Sequence, residues 1–372
     1  MKIAILTLPL HTNYGGILQA YALQTILKRM GNDVYVIEKK RKPLSLPIYK
    51  IPFSYGKRII KNLIGRRFPI FFEQKVNRER PIIQQYTDEF IHKYIHLKQY
   101  NTFSDILPSE YDAFVVGSDQ VWRPKYFGAN QMRNAYLQFT ESWNVKRLAY
   151  AASFGTENWE YTPKQTEECS RLAKLFNAIS VREDSGVKLC KKYLGVDAQH
   201  VLDPTMLLDK QDYINLFETA HTPQSKGNLL YYILDETEEK KEILKSIVDE
   251  KKLNPFNVKS NSDDISSPIS ERIQPPLEQW LRGFYDADFI FTDSFHACVF
   301  SILFRKQFIF YGNEKRGMAR FKSLLTTLGL GSRMVTSTND IDNLEKIDYN
   351  EVYKKLGKLR EHSLLFLSKI NL

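Results

Sequence analysis

The residue most suited to chemistry in this sequence is His296. It lies in the stretch 288–303, Asp-Phe-Ile-Phe-Thr-Asp-Ser-Phe-His-Ala-Cys-Val-Phe-Ser-Ile-Leu. A short apolar strand, 289–291, breaks at Thr292-Asp293-Ser294, residue types that accept hydrogen bonds from free backbone N–H groups and favour helix N-caps. An apolar helix is expected from about residue 295, with Val299, Ile302 and Leu303 at helical spacing. His296 therefore falls in the first turn of a helix, just past the carboxyl end of a strand. Open α/β sheets bind ligands there, and the positive helix end favours anions. A side chain that buffers near neutral pH beside such a helix start is a candidate site. The competing reading is a hydrogen-bonded core or surface histidine.

The same arrangement recurs along the chain. An Ile- and Leu-rich segment, 2–9, reads as a strand buried on both faces. His11-Thr12-Asn13-Tyr14-Gly15-Gly16 follows, then a helix over 17–30 and a strand over 34–37. Two glycines let a backbone approach a ligand closely, with helix N–H groups pointing at it. The spacing is not G-x-G-x-x-G, so no dinucleotide fingerprint is present. Strand 113–116 runs into Gly117-Ser118-Asp119, strand 147–151 into Ala152-Ser153, and strand 176–181 into Arg182-Glu183-Asp184. Each delivers a small or polar group at its carboxyl end, which is how a doubly wound sheet builds a site.

A second set of elements begins near residue 228. It comprises a strand over 229–234, a surface helix over 236–251, a helix over 277–285, the stretch around His296, a strand over 307–311 and a helix over 320–328. The expectation is α/β: two Rossmann-like, doubly wound domains facing across a cleft. The first is 1–208 plus a C-terminal helix over 350–372, and the second is 209–349.

Composition narrows the class. The chain has 372 residues, 43% hydrophobic and 26% charged, as in an ordinary globular protein long enough for two domains. No run approaches the roughly 20 apolar residues of a membrane span, and the N-terminus reads as a first strand rather than a signal peptide. Cys169, Cys190 and Cys298 show no metal or redox spacing, no metal-ligand cluster stands out, and a reducing cytoplasm is the simplest setting. The net charge of +10 is local: 39–80 holds 13 basic residues against Glu73 and Glu79, and the remainder is close to neutral. Within that excursion, 41–75 interleaves charges with prolines, aliphatics and aromatics. It reads either as a solvated excursion or as an interfacial segment meeting anionic lipid headgroups. No nucleic-acid motif accompanies it, so no nucleic-acid partner is expected.

Seven phrases, in order, resemble the polysaccharide pyruvyl transferase family. They are Asn13-Tyr14-Gly15-Gly16 with its helix, Val116 to Trp122, Tyr150 to Gly155, Ser180 to Gly186, Asp203-Pro204-Thr205, Thr292 to His296, and Arg320 to Leu325. The resemblance implies a glycosyltransferase-B-like fold whose C-terminal helix crosses back to the first domain. It also implies transfer of pyruvate from phosphoenolpyruvate to a sugar of a bacterial surface-polysaccharide precursor as a ketal, with phosphate released and no cofactor. The acceptor would include lipid-linked sugars, in the cytoplasm or at the inner face of the membrane.

Such chemistry needs fixed cations, an acid for the methylene carbon and a base for the hydroxyl. The resemblance makes His296 the acid or the phosphate partner. Arg182, whose planar fork suits bidentate carboxylate or phosphate, takes an anion or else pairs with Glu183 or Asp184. Asp119 is the base or a sugar ligand, against the reading of a turn cap. Substrate contacts are expected from Asn13, Gly15, Gly16, Ser118, Ser153 and Ser294, with Arg320 and Lys315 as further cations. His296 should face 13–16 and Arg182 across the cleft. Two alternatives compete: a nucleotide-sugar-dependent glycosyltransferase on the same fold, and a non-catalytic peripheral membrane protein.

Overall fold

The computed structural model describes residues 1–65, 68–312, 317–341 and 344–371. Two parallel sheets organise it. The first has seven strands: β1 (Lys2–Leu6), β2 (Asp33–Lys39), β3 (Leu97–Tyr100), β4 (Ala113–Val116), β5 (Lys146–Ala152), β6 (Ala178–Val181) and β7 (Gln199–His200). Their order is β3-β2-β1-β4-β5-β6-β7. The second has five: β8 (Leu229–Tyr232), β9 (Pro255–Phe256), β10 (Phe289–Thr292), β11 (Gln307–Tyr311) and β12 (Met334–Val335), in the order β12-β11-β10-β8-β9. Every residue of β4 and of β10 is buried, as parallel strands covered on both faces require. The short strands β3, β7, β9 and β12 were not expected from sequence, because so few residues carry no usable periodicity.

Each order reverses once, between β1 and β4 in the first sheet and between β8 and β10 in the second. At such a switch point the connections leave in opposite directions and open a crevice at the carboxyl ends. The two crevices face each other. Tyr14 joins the halves: its ring lies 5.6 Å from that of Trp280, and its hydroxyl donates to the Pro275 carbonyl at 2.5 Å. One apolar core runs continuously through this contact.

The helix Tyr349–Ser368 crosses from the second half to the first. Near its start, the Tyr353 hydroxyl donates to the Leu303 carbonyl at 2.7 Å. Further along, Arg360 donates to the Met206 carbonyl at 2.6 Å, and the Ser363 hydroxyl accepts the Leu202 N–H at 3.0 Å. The glycosyltransferase-B-like arrangement expected from sequence is thus present, crossing helix included.

The basic excursion is not irregular. Beyond the first helix, α1 (Tyr14–Arg29), it contains helix α2 (Ile51–Leu63) and helix α3 (Phe72–Ile83), with Pro81 near the end of the latter. Among the described residues no helix is long and apolar enough to cross a membrane.

Candidate active site

The helix after β1, Tyr14–Arg29, begins three residues earlier than the pattern suggested, so Gly15 and Gly16 form its first turn rather than a loop. Asn13 is the N-cap, its side-chain oxygen accepting the Gly16 N–H at 3.2 Å. Opposite, His296 stands in the first turn of the helix Phe295–Leu303, after β10. Ser294 occupies that N-cap position without a side-chain capping bond. Asp293, expected to cap with it, instead accepts the Leu234 and Asp235 N–H groups at 2.6 and 3.1 Å and pairs with Lys240 at 2.7 Å. It ties β10 to the loop after β8.

The two helix starts touch. A Cβ on Gly15 would lie under 3.0 Å from Nδ1, Cγ and Cε1 of His296, so only glycine admits the imidazole there. A second glycine is fixed by space at the end of β4. Gly117 has φ +127°, and a Cβ there would collide with the Tyr150 carbonyl oxygen. The turn it begins holds Asp119 at φ 66° and brings Ser118 under Gln19, whose side-chain oxygen accepts the Ser118 N–H at 3.0 Å.

Beneath the helix starts lies a buried charge cluster. Arg182, at the end of β6, donates to Asp203 Oδ2 at 2.6 Å and to Asp119 Oδ1 at 2.9 Å. The pairing with Glu183 or Asp184 weighed from sequence does not form. Glu183 instead accepts the Phe154 and Gly155 N–H groups at 2.7 and 3.1 Å. Asp203 also accepts from the Thr205 N–H at 3.0 Å, the Thr205 hydroxyl at 2.6 Å and the Ser118 hydroxyl at 3.3 Å. Nε2 of His296 lies 3.7 Å from Asp203 Oδ2. That is ion-pair range when the ring carries both protons, but Nε2 makes no hydrogen bond. Arg320 Nη1 lies 3.8 Å from Asp119 Oδ1. The Phe295 ring lies against both guanidinium groups, 4.7 Å from that of Arg182 and 5.2 Å from that of Arg320.

The electrostatics follow from this packing. Burial raises the Asp119 and Asp203 carboxyls, but their cationic neighbours outweigh it, and both end below the usual carboxylate range. For Asp119 those neighbours are Arg182, His296 and Arg320; for Asp203 they are His296 and Arg182, with the Thr205 hydroxyl adding to them. Arg320 is pushed down to about 10, by burial first and by Arg182 second. His11, on the cleft wall, is lowered to about 4 by burial and then by Arg41.

The cleft above has a volume of about 480 Å³. Asn13, Gly15, Asp119, Ser294, His296 and Arg320 form part of its wall. Gly16, Ser118, Ser153 and Arg182 stand behind that wall: Ser153 is buried and accepts the Gly155 N–H at 3.0 Å. Lys315 lies outside the described residues. Arg182 is therefore not an open fork, because both terminal nitrogens already hold carboxylates; among the described residues it is the Arg320 guanidinium that stands on the cleft wall. Sequence reasoning passed over Asp203 as a site residue, although its place after the apolar pair Val201-Leu202 was a usable signal. It also passed over the polar loop 259–264 and Gln274, which no motif marks. Among the described residues no group of three or more His, Cys, Asp or Glu side chains is placed to hold a metal ion.

Two parallel sheets that meet at their switch points across such a cleft define a glycosyltransferase-B-like α/β protein. The chain belongs to the polysaccharide pyruvyl transferase family, whose profile matches residues 13–315. No curated protein sequence matches it. Solved structures similar to it include Arabidopsis thaliana UGT89C1 complexed with UDP-L-rhamnose, at 9% identity and TM-score 0.49, covering 98% of this chain and 94% of that one. Another is UDP-N-acetylglucosamine 2-epimerase from Rickettsia bellii, at 10% identity and TM-score 0.47, covering 100% and 97%. A third is a glycosyltransferase from Rickettsia africae ESF-5, at 12% identity and TM-score 0.43, covering 98% and 93%. At that level of likeness they carry no functional inference.

Proposed function

We propose that the protein transfers pyruvate from phosphoenolpyruvate to a sugar of a surface-polysaccharide precursor as a ketal, releasing phosphate. The observation that carries this reading is His296. It is wedged between the helix start at Gly15 and the buried Asp203, on a cleft wall that also presents Arg320. The substrate has two anionic ends, and this wall has a guanidinium, an imidazole and two helix N-termini to meet them.

Protonation of the methylene carbon makes a methyl group and leaves the adjacent carbon cationic. One sugar hydroxyl adds there and loses its proton. Phosphate departs with the bridging oxygen, the second hydroxyl adds and loses its proton, and the ketal closes. His296 supplies the first proton, with Asp203 orienting the ring from behind as carboxylates orient histidines elsewhere. Arg320 faces the anion. Asp119 is held ionised by Arg182, so it contributes negative charge opposite the cationic carbon more than it accepts a proton, a carboxylate of lowered pKa being a weak base. Arg182 is a positioning residue. No cofactor enters these steps.

Titration calorimetry with phosphoenolpyruvate and, separately, with UDP tests the donor without knowing the acceptor. Saturable heat with phosphoenolpyruvate, abolished in His296→Ala, is expected. Binding of UDP in its place overturns the reading in favour of a nucleotide-sugar glycosyltransferase.

A further inference from the structure

Helix α2 is amphipathic with its faces inverted. Tyr55, Arg58 and Asn62 point inward onto the start of α3 and the loop before it. Arg58 donates to both oxygens of Glu73 at 2.7 and 2.6 Å, Asn62 exchanges two hydrogen bonds with the Phe68 backbone, and the Tyr55 and Phe71 rings meet edge to face. The apolar face points to solvent. Phe53 is 86% exposed, Leu63 83%, Tyr49 74% and Ile64 73%, with Ile60 on the same stripe, and no residue of the helix is buried. Lys50, Lys57 and Lys61, at seven- and four-residue spacing, border that stripe along one edge.

We infer that α2 docks the protein onto the surface of an anionic lipid bilayer. A helix lying in a membrane interface has this form: aromatic and aliphatic residues facing the acyl boundary, and lysines at headgroup level. The charge is complementary. Of the residues 39–80, 13 are basic, and both acidic ones are turned inward, Glu73 onto Arg58 and Glu79 onto Arg272 at 2.6 Å. A second copy of the chain would bring like-charged lysine rows together, whereas anionic headgroups neutralise them.

The location ties the surface to the cleft. Helix α3, on which α2 rests, is held to the second half by the Arg272–Glu79 pair. It is also held by hydrogen bonds from Lys75 to the Ile265 carbonyl at 3.1 Å and from the Gln274 N–H to the Ile83 carbonyl at 2.9 Å. Gln274 and the neighbouring loop 259–264 line the cleft. Docking through α2 thus holds the cleft beside the bilayer. The inference does not depend on the chemistry in the cleft.

Co-sedimentation of the full chain with vesicles tests it. One set is phosphatidylcholine alone, and the other contains about one-third phosphatidylglycerol. Binding is expected only to the anionic set. It should fall at least about tenfold in Phe53→Glu/Leu63→Glu, and about fivefold for each of Lys57→Gln and Lys61→Gln. Raising the salt should weaken it. Phe53→Trp should show a blue-shifted emission on anionic vesicles. No binding to anionic vesicles overturns the inference, as does binding unchanged in the double variant. A dimer in solution that the double variant dissolves, without vesicle binding, also overturns it and assigns the face to a second copy.

Discussion

The imidazole of His296 occupies the space that a side chain on Gly15 would fill. These residues come from opposite halves of the molecule, and each stands in the first turn of a helix at the switch point of its own sheet. Gly15→Ala should therefore displace the ring without unfolding either half. We expect phosphate release from phosphoenolpyruvate and acceptor to fall by about 100-fold, the scale of a lost acid–base group, with the circular dichroism spectrum kept. Gly16→Ala is the control: the nearest atoms to a Cβ there belong to the Asn13 side chain, at 3.3 Å, and activity should stay within about threefold of wild type. Equal loss in both variants would show that the imidazole position is not what Gly15 protects.

His296→Ala should lower turnover by at least about 100-fold. Asp203→Asn tests orientation apart from proton transfer. It should lower kcat about tenfold or more with little change in KM, and move the pH profile of kcat/KM. An unaltered pH profile would leave Asp203 a structural residue only.

Arg182 carries two buried carboxylates, and its removal leaves both without the guanidinium they share. Breaking a buried charge network on one side costs about 3–5 kcal/mol. Arg182→Ala should accordingly lower the midpoint of urea unfolding strongly, with activity lost through instability. Arg182→Met combined with Asp119→Asn and Asp203→Asn should recover much of that stability while staying inactive. A single variant as stable as wild type would place the charge balance elsewhere.

Acid should destabilise the protein in two windows. His11 has its folded pKa lowered from 6.5 to about 4, so the unfolded chain takes up the proton first. Stability from this group is complete above about pH 6.5 and declines as pH falls towards 4. Asp119 and Asp203 have folded values below the usual carboxylate range. Their contribution is complete above about pH 4 and is lost at lower pH, as the protein is driven through those depressed values. Thermal melts from pH 8 to pH 3 should show both declines. His11→Asn should flatten only the upper one, and Asp203→Asn should weaken only the lower.

The sequence by itself determined the local pieces: buried strands ending in polar groups, helices opening beside them, and one strongly basic excursion. Those follow from hydrophobic period and capping chemistry, which act over a few residues. It also placed His296 opposite 13–16, because each follows the carboxyl end of a strand, a cleft between two α/β halves collects such ends, and the resemblance orders the phrases in the same way. Tertiary structure alone decided which groups face the ligand and which face each other. Arg182 reads as an open anion fork until Asp119 and Asp203, 63 and 21 residues away along the chain, fill it. The outward turn of the apolar stripe on α2 was equally hidden. Amphipathic spacing gives a helix two faces, but only packing against α3 decides which one meets solvent.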